Sequence, residues 1–136
     1  MQKPNKKIYK NQGDVLKKFK KFIAPLFEKF KEIEKAILWG SLAREEFGLY
    51  EKEYNGHCGS DIDLIIFLRK NSKIPENWKD LGIHELWFNV YKDNSFRYFK
   101  YNKNIHKVDL IIIKNNKKKE AMKKLKDKIK ILFLRK

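Results

Sequence analysis

The sequence predicts an α/β or α+β domain in which a mixed β-sheet packs against two long helices. Two observations support this prediction: Lys-rich amphipathic stretches lie near both ends of the chain, and short apolar segments typical of buried strands lie between them. Helices and strands in this order form one layered core. The length of 136 residues suits one domain. We expect it to occupy residues 14–136, after a flexible basic arm at residues 1–13.

The first helix is predicted to start at Asp14, a candidate N-cap. Apolar residues then recur at three- and four-residue steps as far as Ile33, which indicates one buried stripe under a Lys-rich face. Pro25 lies inside this stretch and lacks a backbone donor. It therefore predicts a kink or two consecutive helices.

A short buried strand is predicted over residues 36–39, because this apolar run is too short for a helix and ends in Gly-Ser. Ser41 is expected to cap a short helix that reaches Phe47. Residues 48–60 contain three glycines and no periodicity, so they predict a loop.

The strongest strand signal covers residues 61–68, which are short, β-branched and almost entirely apolar. Residues 70–82 predict a connection with one helical turn around Trp78. Alternating residues then predict a strand over 84–91, with 96–101 as its hairpin partner.

The core motifs end with a buried strand predicted over residues 107–113. Beyond it, apolar residues return at helical spacing under a Lys-rich face. We therefore expect a long C-terminal helix over about residues 117–134, the second of the two long helices.

The composition restricts the class of protein. With 42% hydrophobic and 14% aromatic residues, the chain has enough apolar surface to bury and is not expected to be disordered. A single cysteine, Cys58, excludes an internal disulfide and fits a reducing compartment. No apolar run is long enough for a membrane span or a signal peptide. We expect a cytoplasmic protein without a membrane partner.

The formal charge of +16 is confined to the two ends of the chain. Residues 1–35 carry +7, residues 114–136 carry +9, and residues 36–113 are neutral. Such basic segments suit either solvation or an anionic partner. Because only four of the 33 basic residues are Arg, we favour solvated lysine faces over RNA binding.

Three carboxylates stand out in the neutral middle of the chain. Asp61 and Asp63 begin a strand and share one face, and Asp109 interrupts another apolar strand. Buried carboxylates require a partner, and oxygen ligands select hard cations such as Mg²⁺. Alone, each is more often a turn or edge residue. Together with Gly40 and Ser41, where a strand ends and backbone N–H groups can hold phosphate, they indicate a metal-assisted phosphate site.

Three segments, WGSLAR (39–44), SDIDLIIF (60–67) and KVDLIII (107–113), together resemble the nucleotidyltransferase domain of the DNA polymerase beta superfamily. The likeness covers roughly residues 30–115. It is greatest to the minimal nucleotidyltransferases, some of which are antitoxins that adenylylate a partner toxin. The resemblance implies the nucleotidyltransferase fold.

The resemblance also implies the role of each matching residue. Gly40 and Ser41 would hold the nucleotide phosphates, and the following basic residue, Arg44, would reach them. Asp61 and Asp63 would bind metal. The third carboxylate, Asp109, would bind the catalytic metal and help to deprotonate the acceptor hydroxyl. The implied cofactors are two Mg²⁺ ions, with ATP or another nucleoside triphosphate as substrate.

The chain departs from the compact members of the superfamily in one respect. Nineteen residues (42–60) separate the Gly-Ser pair from the DxD pair, and the extra residues lie in the 48–59 loop. His57 and Cys58 in this loop lack partners at a zinc-ligand spacing. The roles of the loop and of the 83–101 segment do not follow from the resemblance.

The acceptor of the nucleotide is the most open question. A side chain of a toxin-like partner protein is our first hypothesis, because a small domain has little room for a second small-molecule pocket. An RNA end or a small molecule such as an aminoglycoside is the alternative, and a non-catalytic nucleotide- or RNA-binding module is the third. A homodimer is compatible with each hypothesis.

Overall fold

A computed structural model of the protein describes residues 5–54, 57–125 and 129–135. The helices are α1 (Gln12–Lys29) and α2 (Lys118–Lys124), with 3₁₀ turns at Asn94–Phe96 and Asn115–Lys117. The strands are β1 (Lys6–Ile8), β2 (Ile33–Trp39), β3 (Gly48–Tyr54), β4 (His57–Gly59), β5 (Ile62–Leu68), β6 (Trp78–His84), β7 (Phe88–Asp93), β8 (Tyr98–Tyr101), β9 (Asn104–Ile113) and β10 (Lys130–Leu134). Neither of these helices combines the length and the hydrophobicity that a membrane crossing requires.

The larger sheet runs in the order β10-β2-β5-β9-β7-β6, and β8 pairs with β9 outside this path. The β5–β9 pair is parallel, whereas β2 and β7 run antiparallel to their neighbours β5 and β9. The prediction of a mixed sheet is therefore confirmed. A smaller sheet, in the order β1-β3-β4, stands beside it.

The apolar character of β5 follows from its central place, because both faces of this strand are covered. Leu64 and Ile66 belong to the core under α1. Ile65 and Phe67 face the other side, where Ala121 of α2 packs into a second core. Strands covered on both faces have nearly continuous apolar sequences, as the sequence predicted for this segment.

Helix α1 begins slightly earlier than expected and is not divided. The side chain of Asn11 accepts a hydrogen bond from the backbone N–H of Asp14 at 2.9 Å, so Asn11 is the N-cap and Asp14 lies in the first turn. Pro25 lies inside one continuous helix rather than between two. The predicted apolar stripe runs past the end of the helix, because Phe30 is the C-cap and Ile33 already belongs to β2.

The prediction of a second long helix over residues 117–134 is wrong. Helix α2 has only seven residues, and β10 pairs antiparallel with β2. Phe133 stacks on Phe27 of α1 at 4.5 Å between ring centroids, and Arg135 donates to the carbonyl oxygens of Phe27 and Ile33. The free edge of β2 and the underside of α1 thus provide contacts that favour a strand for this segment.

The predicted basic arm and the predicted 48–60 loop are also partly wrong, because they pair with each other. Strand β1 runs antiparallel to β3, which in turn pairs with β4. Gly48 permits the close approach, since a Cβ atom there would lie 2.2 Å from the carbonyl oxygen of Lys7. Residues 1–4 and 55–56 lie outside the described residues.

The segment after β5 also differs from its prediction. Trp78 starts β6 rather than a helical turn, and its indole N–H donates to Asp93 at 3.1 Å. The predicted 84–91 strand divides between β6 and β7, which form the hairpin. Strand β8 pairs with β9 instead of β7. The alternation in the sequence identified strands here, but long-range contacts select the partners.

The placement of β10 can be tested with two substitutions on the same strand. Phe133→Ala is expected to lower the free energy of unfolding by about 2 kcal/mol, because it removes the ring that packs on Phe27. Ile131→Ala, at a side chain that is 56% exposed, should cost less than about 0.5 kcal/mol. Urea denaturation measures both, and equal losses would contradict this placement.

Candidate functional site

The parallel register of β5 and β9 brings two of the predicted carboxylates together. Asp63 pairs with Asp109 across the two strands, and on its other side it lies opposite Trp39 of β2. Because side chains alternate along a strand, Asp63 shares its face with Ile65, whose side chain lies in the second core. The carboxylates therefore stand where that apolar face ends.

A polar cleft of about 400 Å³ opens at this point. It is lined by five residues that the sequence singled out and by four others. The five are Gly40, Ser41, Arg44, Asp61 and Asp63. The four are Lys6, Trp39, Tyr50 and Ser60. The structure therefore gathers the Gly-Ser pair, the following arginine and the DxD pair around one space.

The third aspartate, Asp109, is paired with an arginine. Its Oδ1 atom accepts a hydrogen bond from Nη1 of Arg97 at 2.5 Å in an ion pair. Among the residues that the structure describes, no three Asp, Glu, His or Cys side chains form a group that could hold a metal ion. The metal-binding role expected of the three aspartates stays a prediction.

Gly40 is required at its position for two reasons. Its φ angle of +79° lies in the left-handed region, and a Cβ atom there would lie 2.6 Å from Oδ2 of Asp63. A side chain at this position would have to move the carboxylate. The Gly-Ser motif therefore allows the end of β2 to pack directly against the DxD motif.

The chain leaves Gly40 in a tight turn rather than in the predicted short helix. The backbone N–H of Arg44 donates to the carbonyl of Gly40 at 3.1 Å, and that of Glu46 donates to Ser41 at 2.8 Å. Glu45 has a φ angle of +60°, which interrupts helical geometry. The turn places the Arg44 side chain at the cleft, where it also pairs with Glu46 at 3.2 Å.

Burial and nearby negative charges make Asp63 a weaker acid than usual. Burial, followed by the charges of Asp109 and Asp61, raises the pKa of Asp63 to about 7, against a weaker opposing effect of Arg44. Ionisation of such a group is costly unless a cation compensates it. Asp61 and Asp63 supply only oxygen donors, which hard divalent ions prefer, so this pair fits one such ion.

One wall of the cleft comes from the smaller sheet. Lys6 of β1 pairs in register with Tyr50 of β3, and both line the cleft. Ser60 fixes this wall to the start of β5: its hydroxyl accepts from the N–H of Gly48 at 3.2 Å, and its own N–H donates to the Gly48 carbonyl at 2.9 Å. Segments predicted as arm and loop therefore shape the site.

His106 of β9 holds the residue before Asp61 from behind. Its Nδ1 lies 2.8 Å from the carbonyl oxygen of Ser60, and its Nε2 lies 2.8 Å from the hydroxyl of Tyr9. A carbonyl oxygen only accepts, so Nδ1 carries the proton. Burial lowers the pKa of His106 and favours the neutral ring. His106 thus links β9 to the backbone that presents the DxD motif.

Local sequence patterns do not identify these supporting residues. Lys6 lies in a Lys-rich segment without periodicity, and His106 follows Ser60 by 46 positions. Arg97 could have been noticed only because arginine is rare in this chain, whose basic residues are nearly all lysines. The structure does not test whether His57 and Cys58 could bind zinc, because their side chains lie outside the part that it describes.

Two glycines with nearly the same positive φ angle give a matched test of the Gly40–Asp63 contact. Gly82 has a φ angle of +80° and nothing near its missing Cβ. Gly82→Ala should therefore cost about 1 kcal/mol of backbone strain alone, and Gly40→Ala at least about 2 kcal/mol because it also displaces Asp63.

Chemical denaturation of both variants, and of Gly40→Ala combined with Asp63→Ala, measures the contact. The second substitution should recover part of the loss at Gly40. Equal losses for the two glycine variants, with no recovery in the double variant, would contradict the contact.

The buried His106 predicts a pH effect on stability. Because its pKa is lowered in the folded protein, the unfolded chain takes up the proton first as pH falls. Stability should therefore be fully present above about pH 6.5 and decline below it. Asp63, whose pKa is raised, has the opposite effect as pH rises above about 4.

Melting temperatures between pH 5 and pH 7.5 test this effect in the Asp63→Asn background, which removes the opposing contribution. His106→Gln in that background should flatten the decline on the acid side. An unchanged slope would show that another group is responsible.

Comparison with known proteins adds one match. The family model described as polymerase beta, nucleotidyltransferase matches residues 21–136, a span that includes the cleft residues from Trp39 to Asp63 and the Asp109 strand. No curated protein and no solved structure matches the chain. The family match agrees with the resemblance of the three sequence segments. The chain therefore belongs to the polymerase beta nucleotidyltransferase family.

Proposed function

We propose that the protein transfers a nucleoside monophosphate, with ATP as the donor, to a hydroxyl group in a Mg²⁺-dependent reaction. The acceptor oxygen bonds to the α-phosphorus, the bond from that phosphorus to the bridging oxygen of the β-phosphate breaks, and pyrophosphate leaves. The observation that supports this function is the convergence of the Gly-Ser turn, Arg44 and the DxD carboxylates on one cleft.

The phosphate groups would lie along the turn that follows β2. Ser41 would offer its hydroxyl, and Arg44 would offer a guanidinium in the same cleft. Lys6 adds a second cation from the opposite sheet. Such donors bind phosphate oxygens without taking part in bond making.

The divalent ion would be held by Asp61 and Asp63. When bound, it neutralises the phosphate charge that develops on the leaving group. Burial makes the charge of Asp63 costly without a cation, and the close approach of Gly40 restricts the position of its carboxylate. Asp109, next to Asp63 in the sheet, would accept the proton of the acceptor hydroxyl.

The acceptor proposed here is a side chain of a partner protein, such as a toxin-like protein. A cleft of about 400 Å³ is near the lower end of ligand pockets, which span roughly 300–1,000 Å³. A nucleoside triphosphate would occupy most of it, so the acceptor hydroxyl would approach from outside. An RNA end would approach in the same way, whereas an aminoglycoside would need further space.

A second candidate function is nucleotide binding without transfer. The Arg97–Asp109 ion pair favours it, because this pair occupies an oxygen of the third carboxylate. The two functions differ in one measurable product. Only the enzyme releases pyrophosphate.

Transfer can be measured with ATP labelled at the α- or the γ-phosphate, in the presence of Mg²⁺ and of protein, RNA or aminoglycoside acceptors. Label from the α-position alone should reach the acceptor. Asp61→Asn/Asp63→Asn should reduce transfer at least about 100-fold, because the ion site is lost.

Asp80→Asn is the matched control, since Asp80 is an exposed aspartate paired with His84 outside the cleft. It should retain full transfer. Equal labelling by the wild type and the double variant would contradict the proposal, and nucleotide binding without pyrophosphate release would support the second candidate.

A further inference from the structure

Arg97 provides a fixed positive charge next to the third carboxylate. It follows the Asn94–Phe96 turn and precedes β8. Its Nη1 donates to Oδ1 of Asp109 at 2.5 Å and to the carbonyl oxygen of Val108 at 2.9 Å. The two side chains are only 12% and 22% exposed, so solvent screens the pair weakly.

The backbone holds Arg97 in the same place. The N–H of Val108 donates to the carbonyl oxygen of Arg97 at 2.7 Å. Arg97 is thus attached to two successive residues of β9 through both its main chain and its side chain. A guanidinium stays protonated at every pH of interest, and separating a buried ion pair leaves an uncompensated charge. The guanidinium therefore stays next to Asp109.

The ion pair with Arg97 distinguishes Asp109 from the other two aspartates. Asp61, Asp63 and Asp109 carry three negative charges, and Arg97 compensates the last of them. A divalent cation would then have the DxD pair, Asp61 and Asp63, as its oxygen ligands, in the cleft that Arg44 and Lys6 also line. A second divalent ion would have to coordinate Asp109 against the charge of Arg97 next to it.

We propose that Arg97 takes the place of a second divalent cation, so that the site holds one divalent ion per chain, on Asp61 and Asp63. This inference rests on the proposed function for the identity of the ion site. Arg97 is a positioning residue that acts through Asp109. Since a guanidinium donates hydrogen bonds but does not coordinate oxygen, Asp109 would receive the acceptor proton without a metal ion on that side.

The number of bound ions tests this inference directly. The full chain is titrated with Mn²⁺ alone, and unbound Mn²⁺ is counted by electron paramagnetic resonance. The wild type should bind one ion per chain and Arg97→Gln two, because the carboxylate of Asp109 becomes available. Arg97→Gln/Asp109→Asn should return to one, as should the control Arg69→Gln, an exposed arginine at the far end of β5.

Asp109→Asn alone tests whether Asp109 binds an ion, even if Arg97→Gln does not fold. It should leave the count at one, since Asp109 holds no ion in this proposal, and a loss of the bound ion would overturn it. Two ions in the wild type, or one ion in a folded Arg97→Gln, would also overturn it while leaving the proposed function intact. No ion in the wild type, together with absent transfer, would overturn both.

Discussion

The site depends on the parallel pairing of β5 with β9, which fixes Asp63 beside Asp109 where a buried face of the sheet ends. Burial makes the ionisation of Asp63 costly and the like charge of Asp109 adds to this cost, so the pKa of Asp63 is raised. Neighbouring residues accommodate the two carboxylates. Gly40 gives the carboxylate room, and Arg97 compensates its partner. In the proposed function, Asp61 and Asp63 supply the oxygen ligands of a divalent ion.

The distribution of charge along the sequence acquires a structural meaning from the smaller sheet. The N-terminal segment accounts for part of the +16 charge, and β1 carries Lys6 from this segment to the edge of the cleft. Ser60, the residue before Asp61, is hydrogen-bonded to Gly48 of the same sheet. Some of the terminal charge thus stands where a triphosphate would bind, in addition to the part that solvates helix faces.

The sequence predicted the parts of the structure that short-range patterns determine. The buried strand at residues 62–68 and the Gly-Ser and DxD motifs needed only local apolar runs and spacing. Strand β10 was missed because Leu132 and Phe133 fit a helix as well as a strand, and the open edge of β2 decides between them. Strand β3 was missed because its Lys and Glu residues show no apolar alternation. Its pairing with β1 is a long-range contact.

The same distinction applies to the chemistry of the carboxylates. Their positions can be read from the sequence, but the cation that each one binds depends on what the fold brings next to it. Arg97 comes from the 83–101 segment, whose role the superfamily resemblance did not explain, and it contacts Asp109 from 12 positions away. A segment outside the shared motifs therefore changes the charge balance inside them. In the one-ion proposal, the number of bound ions follows from the neighbours of Asp109 and not from the count of aspartates.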